Sequence, residues 1–553
     1  MLVSKNEVGI RRKVMEKAKS IDWSKMIIRT IVIIGVGVRI LMAFLHFTHS
    51  DDNGAMNELM ARKALGFDGK DIYWGFWTYA PLQLVFSTIL ENVNNGYFAN
   101  LFLGRLPSLC SGIGAIYLCF IILNKEIEGN NKKNVGAIYA ISLLALSWEN
   151  IIYSAQGEPY EIVVLIGFII VLLLLGDPCG NWWKSLTLLL VMSICCYIHF
   201  QVFMMTFAMY AALFVVNIHF PKKKLRLIVT GGCNLIATLP LLLKMREMDM
   251  FSKGVNWNRG IDGSFQFVMP DGGFVIFIKY IFDFFVRNTF LIYRYFFTIE
   301  EFGWLGAIIA GCIIVLTLMG MIYIHHNKMI IAVYTDVLLL LNLVLIIKGS
   351  LTYGPSRHMI FMVPTLLLLI FYGIFQIDDI IKKEEIVQKV FKVTSLVILA
   401  MFLLTFPNEF AQRRNYISES KIQLLVEEYK PDFIYGYAWI SDLYPMKIDG
   451  YANESAAWGS NAGWITKTDK SNITNRFMII SRTVNKDQFL EDERIGESFK
   501  EKLYQCGYTD YLKTYPNYKL IYQLEVDSGE EVEYASKYYN NYGNGLYLYI
   551  FEF

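Results

Sequence analysis

The feature that most constrains this chain is an apolar run of bilayer-spanning length that recurs through most of its first 400 residues. A hydrocarbon core about 30 Å thick takes roughly 20 apolar helical residues. Eleven such segments can be drawn, at about 26–46, 99–123, 135–153, 161–175, 185–200, 201–219, 227–243, 304–324, 329–347, 359–375 and 392–406. Composition agrees: 55% of the 553 residues are hydrophobic and only 18% charged, where soluble proteins are about a quarter charged. A cytosolic enzyme is therefore disfavoured. Lys+Arg 51 against Asp+Glu 49 leaves a net charge of +2, which supplies no basic field for nucleic acid. The chain is also too apolar for a disordered one. Its eight cysteines include no CxxC pair, so neither a zinc knuckle nor a disulfide scaffold is supported.

Charge then sets the topology. The N-terminal segment 1–25 is rich in Lys and Arg, among them Lys5, Arg11, Arg12, Lys13, Lys17 and Lys19. The positive-inside rule keeps that segment cytoplasmic. With eleven spans, Lys125/Lys132/Lys133, the run 221–226, Lys328 and the cluster 382–392 also fall inside, provided the apolar stretch 80–91 lies at the interface instead of crossing. The N-terminal segment is too long in its apolar run for a cleaved signal peptide and reads as an anchor. The fold expected is an all-α polytopic membrane bundle over 26–406, followed by an extracytoplasmic α/β or α+β domain at 407–553. In that domain 418–429 and 486–505 read as helices, and 432–440, 476–482, 518–525 and 545–552 as strands.

Unusual polar residues collect in the loops this topology puts outside. The first outer loop, 47–98, opens on Asp51-Asp52. Two adjacent carboxylates repel and raise one apparent pKa unless a cation is near, which suits a general base or metal ligand; Asp52 is equally a good helix N-cap. The second outer loop carries Glu158, Pro159 and Glu161, which fit either a site or the acidic first turn of the next helix. His199 occupies a tight third turn, as a ligand or as a satisfied polar residue. The loop 348–358 places Lys348, Arg357 and His358 where they could grip phosphate or anchor the interface. Within the spans, Arg39 and Arg105 lie near the outer boundary, where snorkelling explains them, and Asp336 is harder to dismiss. The segment 244–303, with Lys279, Tyr280, Arg287, Tyr293, Arg294, Tyr295 and Phe296, reads as a helix in the headgroup plane. Walker, dinucleotide-binding, zincin and nucleophile-elbow motifs are absent. Two sequons, Asn453-Glu-Ser and Asn472-Ile-Thr, carry little weight in an Asn-rich tail.

The order of these features resembles the GT-C superfamily of integral-membrane glycosyltransferases, in particular its bacterial protein O-mannosyltransferase and aminoarabinose-transferase-like members. The residues that carry the resemblance are Arg39, Asp51-Asp52, Tyr79-Ala-Pro81-Leu82, Arg105-Leu-Pro107-Ser108, Glu158-Pro-Tyr160, and Arg357-His358 with Pro364. The chain departs from the family in having Asp-Asp for Asp-Glu, one proline for two in the interfacial motif, and Glu158 or Glu161 where the second-loop acid is usually Asp. The resemblance implies transfer of a sugar from a polyprenyl-phosphate donor to a lipid, glycan or protein acceptor outside a bacterial cell membrane. It further implies Asp51 as general base, Asp52 as its partner, and Arg357, His358, Lys348 and Arg105 on the donor phosphate. Glu158, Glu161 and His199 are implied as acceptor or metal groups, a divalent cation being the one cofactor left open. Two competing functions are a transporter or flippase of a lipid-linked saccharide, for which Asp336 speaks most, and a membrane scaffold presenting the C-terminal domain.

Overall fold

A computed structural model describes residues 23–45, 97–127, 134–157, 159–247, 267, 273–297, 303–381, 384–413, 419–437, 451–453, 462–469, 471–481, 504, 519–526 and 546–552. The helices are α1 (Trp23–Leu45), α2 (Tyr97–Ile127), α3 (Asn134–Ala145), α4 (Trp148–Ser154), α5 (Tyr160–Leu175), α6 (Trp182–Cys196) and α7 (Phe200–Val216). They continue with α8 (Pro221–Glu247), α9 (Phe274–Phe297), α10 (Gly303–Asn327), α11 (Met329–Ile347), α12 (Val363–Ile381), α13 (Glu384–Arg413) and α14 (Glu419–Tyr429). Among the described residues, seven helices are long and apolar enough to cross a membrane, or eight if α3 and α4 form one bent span. Three shorter apolar helices, α5, α6 and α7, fall on three of the remaining segments drawn from the sequence. Outward-facing apolar residues such as Ile33, Leu190, Ile236 and Leu404 are exposed, as expected where the surrounding solvent is lipid.

Two places in this bundle differ from the single uninterrupted spans of the sequence reading. The segment 135–153 is broken: α3 and α4 meet at 55° across Leu146 and Ser147. Ser147 caps α4 by accepting a hydrogen bond from the Asn150 amide. The last span but one begins as a 3-10 turn, Arg357–Met362, before continuing as α12. Helix contacts are closest where glycine removes the side chain. A Cβ at Gly320 of α10 would collide with the Leu369 carbonyl, and one at Gly373 of α12 with the Leu316 carbonyl. That small-residue crossing lets two backbones touch, the packing that holds helices together in lipid.

The ends of the bundle are tied by charge. At one end Lys328 contacts Glu126 at 2.6 Å, Tyr372 donates to the same carboxylate at 2.7 Å, and Lys223 pairs with Asp177 at 2.9 Å. Arg226, on the same helix as Lys223, donates to the Cys179 carbonyl at 2.6 Å. Burial raises the Cys179 thiol to about 11, with Asp177 adding to the rise and Lys223 and Arg226 opposing it. Arg105, at the other end of α2, is 21 residues from Glu126, about 31 Å along the helix axis.

Among the described residues, six strands form one sheet in the order β2-β3-β1-β4-β6-β5: β1 (Phe433–Tyr437), β2 (Tyr451–Asn453), β3 (Ala462–Lys467), β4 (Arg476–Ser481), β5 (Lys519–Val526) and β6 (Leu546–Glu552). Only β1 and β4 run parallel; every other pair is antiparallel. The central strands are apolar on both faces, with Ile434, Tyr435, Met478, Ile479, Tyr549 and Ile550 buried, as a strand covered on both sides requires. Asp432 fixes the entry to β1. Its buried carboxylate accepts from the Thr474 and Asn475 amides at 2.8–3.0 Å and faces Lys467 at 3.4 Å. The strand expectations at 432–440, 476–482, 518–525 and 545–552 are met to within a few residues, and β2 and β3 are additions to them. The expected helix 486–505 lies outside the described residues, apart from Tyr504.

Candidate functional site

Five of the polar residues singled out from the sequence, Arg39, Glu161, His199, Arg357 and His358, fall in two adjoining groups. The first is built around Arg39. Its guanidinium donates to the carbonyls of Gly35 (3.1 Å), Ala145 (2.7 Å) and Leu144 (3.0 Å), and its Nε to Ser154 Oγ (3.1 Å). The last carbonyls of α3 have no partner within the helix, so Arg39 supplies the donors that make the α3–α4 break tolerable inside an apolar bundle. The Ser154 hydroxyl itself donates to the Asn150 carbonyl at 2.6 Å. Glu161, in the first turn of α5, sits against the same spot: a Cβ on Gly112 would lie 3.1 Å from Glu161 Cγ and within collision distance of Ser154 Oγ. Glu161 is fully buried and both its carboxylate oxygens lack a hydrogen-bond partner. Arg39 is the charged group that acts on it.

Snorkelling, the expectation for Arg39 and Arg105, is overturned. Both are 0% exposed, and Arg105 donates to the Ala43 carbonyl of α1 at 3.0 Å. They face inward because helix carbonyls from distant parts of the chain offer hydrogen bonds there. Asp336 is different again. It lies half exposed on the outside of the bundle and bonds to His325 Nε2 at 3.0 Å.

The second group is centred on Tyr160, the residue before Glu161. The Arg357 guanidinium lies over its ring at 5.5 Å, a cation–π distance. His199 meets the ring edge at 5.6 Å, and Tyr153 lies 5.6 Å away on the adjoining helix. Tyr153 in turn shares a hydrogen bond with Tyr295 of α9 at 2.8 Å. His199 caps α7, its Nδ1 accepting from the Gln201 amide, and lies within electrostatic reach of Arg357 and His358. Gln201 Nε2 donates to the His358 carbonyl at 2.7 Å, and His358 Nδ1 bonds to Thr352 at 3.1 Å. Tyr353 closes the loop: its hydroxyl meets Thr289 at 2.6 Å, its ring packs on Phe284 and Phe285, and burial pushes its phenol pKa up despite the Thr289 bond.

Of the residues proposed from the sequence, Arg357, His358 and His199 thus converge, and Glu161 joins them through Tyr160. Arg105 stands on α2, bonded to α1, and Lys348 is exposed at the C-cap of α11. Asp51, Asp52 and Glu158 lie outside the described residues. The α9 helix lies within the segment 244–303: Phe284, Asn288, Leu291 and Tyr293 are buried, while Lys279, Phe282 and Arg287 are exposed. Among the described residues, no group of three His, Cys, Asp or Glu side chains could hold a metal ion. Gly112, Ser154 and the full role of Arg39 were not singled out from the sequence. The one local signal for them is Ser147 followed three residues later by Asn150, a weak relative of the capping box inside an apolar run.

Compared with models of known families and with curated proteins, the chain matches none.

Proposed function

We propose that this protein is a membrane glycosyltransferase that moves a sugar from a polyprenyl-phosphate donor to an acceptor on the extracytoplasmic face. The observation that carries the reading is the convergence of Arg357 and His199 on Tyr160, with His358 beside His199 and the buried Arg39 and Glu161 next to them. Cations and a carboxylate drawn from separate parts of the chain meet at one bundle end, which is where an interfacial phosphate and its sugar would rest. Eleven spans, a cytoplasmic N-terminus and an extracytoplasmic 407–553 domain complete the proposal. Supporting that orientation, Lys328 and Lys223 sit at the far end, in loops the positive-inside rule assigns to the cytoplasm.

In this mechanism the acceptor oxygen forms a bond to the anomeric carbon as the bond from that carbon to the donor phosphate oxygen breaks. The bonding pair leaves on the phosphate, and configuration inverts. Arg357 stabilises the charge that grows on the departing phosphate, a role worth most in a site that excludes water. Asp51 takes the acceptor proton, with Asp52 holding it in place. The donor's isoprenoid tail stays in lipid, beside the apolar stripe of α9. The test is Asp51→Asn: the variant inserts and accumulates normally, and mass spectrometry finds no glycosylated product. Product formation at the normal rate would remove Asp51 from the role.

The position of Asp336 weakens the transport alternative. A transport pathway calls for polar groups lining the bundle near its midplane, whereas Asp336 is half exposed and paired with His325 at its edge.

A further inference from the structure

We propose that the paired first turns of α6 and α8 bind the headgroup of an anionic phospholipid in the leaflet that meets that end of the bundle, the cytoplasmic one in the orientation above. Asp177 is the single carboxylate between Glu161 and Glu247, and against it the same end carries Lys184, Lys222, Lys223, Lys224 and Arg226. Two of these cations are spent on the fold. Lys223 holds both Asp177 oxygens, at 2.9 and 3.0 Å, while Arg226 donates to the Cys179 carbonyl and lies 5.9 Å over the Trp182 ring. Together they fasten the 176–181 turn and the start of α6 to α8. Further along, Asn234 donates to Ser193 at 3.0 Å and Tyr197 to the Ala237 carbonyl at 2.7 Å, so α6 and α8 run side by side in the same direction. Lys184, Lys222 and Lys224 are left over. None of the three has an ion pair among the described residues, and Lys184 and Lys222 are exposed.

What surrounds these cations selects the anion. Trp183 is 80% exposed and Phe220 56%, large aromatic rings of the kind that sit at headgroup level. Beyond them α6 exposes Leu186, Leu190 and Ile194, and α8 exposes Leu225, Ile228 and Val229. A ligand that matches both halves carries a phosphate and acyl chains, the chemistry that basic pockets between spans recognise on the cytoplasmic side. Free phosphate would use the cations and leave the apolar stripe without a role. The positive-inside rule accounts for lysines in this loop, but it asks for neither the fixed pairing of two helix starts nor the exposed rings. The patch is separate from the Tyr160 group, because α5, 16 residues and about 24 Å long, stands between them.

The experiment titrates the purified full-length protein, in detergent micelles, with phosphatidylglycerol and separately with phosphatidylcholine of the same acyl chains, and counts bound lipids by native mass spectrometry. Wild type should bind the first phosphatidylglycerol at least about fivefold more tightly than the first phosphatidylcholine, and excess inorganic phosphate should not displace it. Phosphatidylglycerol with a photoreactive group on its acyl chain should label peptides of α6 and α8 that contain Leu186, Leu190, Leu225 and Val229. Lys222→Gln combined with Lys224→Gln should weaken phosphatidylglycerol about tenfold and leave phosphatidylcholine unchanged. Lys389→Gln combined with Lys392→Gln removes as many charges from another basic cluster that the sequence assigns to the cytoplasm, and should change neither lipid. The proposal is overturned if wild type binds the two lipids alike or is labelled elsewhere, results that depend on no variant. It is also overturned if both double variants lose phosphatidylglycerol equally, the mark of bulk electrostatic attraction, or if inorganic phosphate displaces the lipid, the mark of a free-anion site. Sugar transfer enters none of these readouts, so this proposal and the glycosyltransferase reading stand or fall separately.

Discussion

Replacing Arg39 by methionine keeps an unbranched apolar stem and removes the charge and all the donors. Four hydrogen bonds disappear. At about 0.6 kcal/mol each, the mean for side-chain bonds between membrane helices, they account for about 2.4 kcal/mol. The change also removes the one cation that acts on the buried Glu161, which adds to that loss and brings the total to about 3 kcal/mol. The assay is reversible unfolding in mixed micelles titrated with denaturing detergent, with Glu161→Gln and the double variant run alongside. Glu161→Gln removes the stranded charge, so the double variant should be more stable than Arg39→Met alone by about 1–2 kcal/mol, a coupling of the size expected for neighbours. Arg39→Met within about 0.5 kcal/mol of wild type, or strictly additive effects, would refute the picture of Arg39 as the group that satisfies the helix break and compensates Glu161.

Other outcomes follow from the same packing. Gly373→Ala drives a methyl into the Leu316 carbonyl and should cost about 1–3 kcal/mol, read as a lower midpoint in the same titration; Gly37→Ala, with open space around it, should not. Asp432→Asn gives up the charge that the Thr474 and Asn475 amides and Lys467 attend. It should loosen the sheet by about 1–3 kcal/mol, seen as faster amide exchange in β1 and β4 with the bundle unaffected. Cysteines placed at Lys348 and at Asp177 in a cysteine-free background should label with an impermeant maleimide from opposite sides of intact cells, and labelling from one side would break the assigned topology. In the native chain Cys179 is buried and its thiol is raised to about 11. It is therefore the protonated, unreactive form at neutral pH, and its alkylation should accelerate only as pH climbs toward that value.

The placement of most helices was legible because a 20-residue apolar run has one stable solution in lipid. The helix break was not, because local periodicity cannot see a guanidinium contributed from 106 residues away to the Ala145 carbonyl. Snorkelling failed for Arg39 for the same reason: its tertiary partners were invisible. In the sheet, β1, β4, β5 and β6 announce themselves through β-branched and aromatic residues. The three-residue β2 and the glycine-containing β3 carry too little pattern to be noticed. Arg357 and His358 are chain neighbours and were grouped at once. That His199 joins them depends on how α7 packs against the 357–362 turn, through the Gln201 bond to the His358 carbonyl.

The most direct measurement follows the fate of a doubly labelled donor, with isotope in both the sugar and the isoprenoid, given to the protein in sealed proteoliposomes with a hydroxyl acceptor. The account predicts that the two labels part: free isoprenyl phosphate accumulates in step with glycosylated acceptor, and Asp51→Asn stops both. Labels that remain joined while crossing the bilayer would identify a flippase and contradict the account.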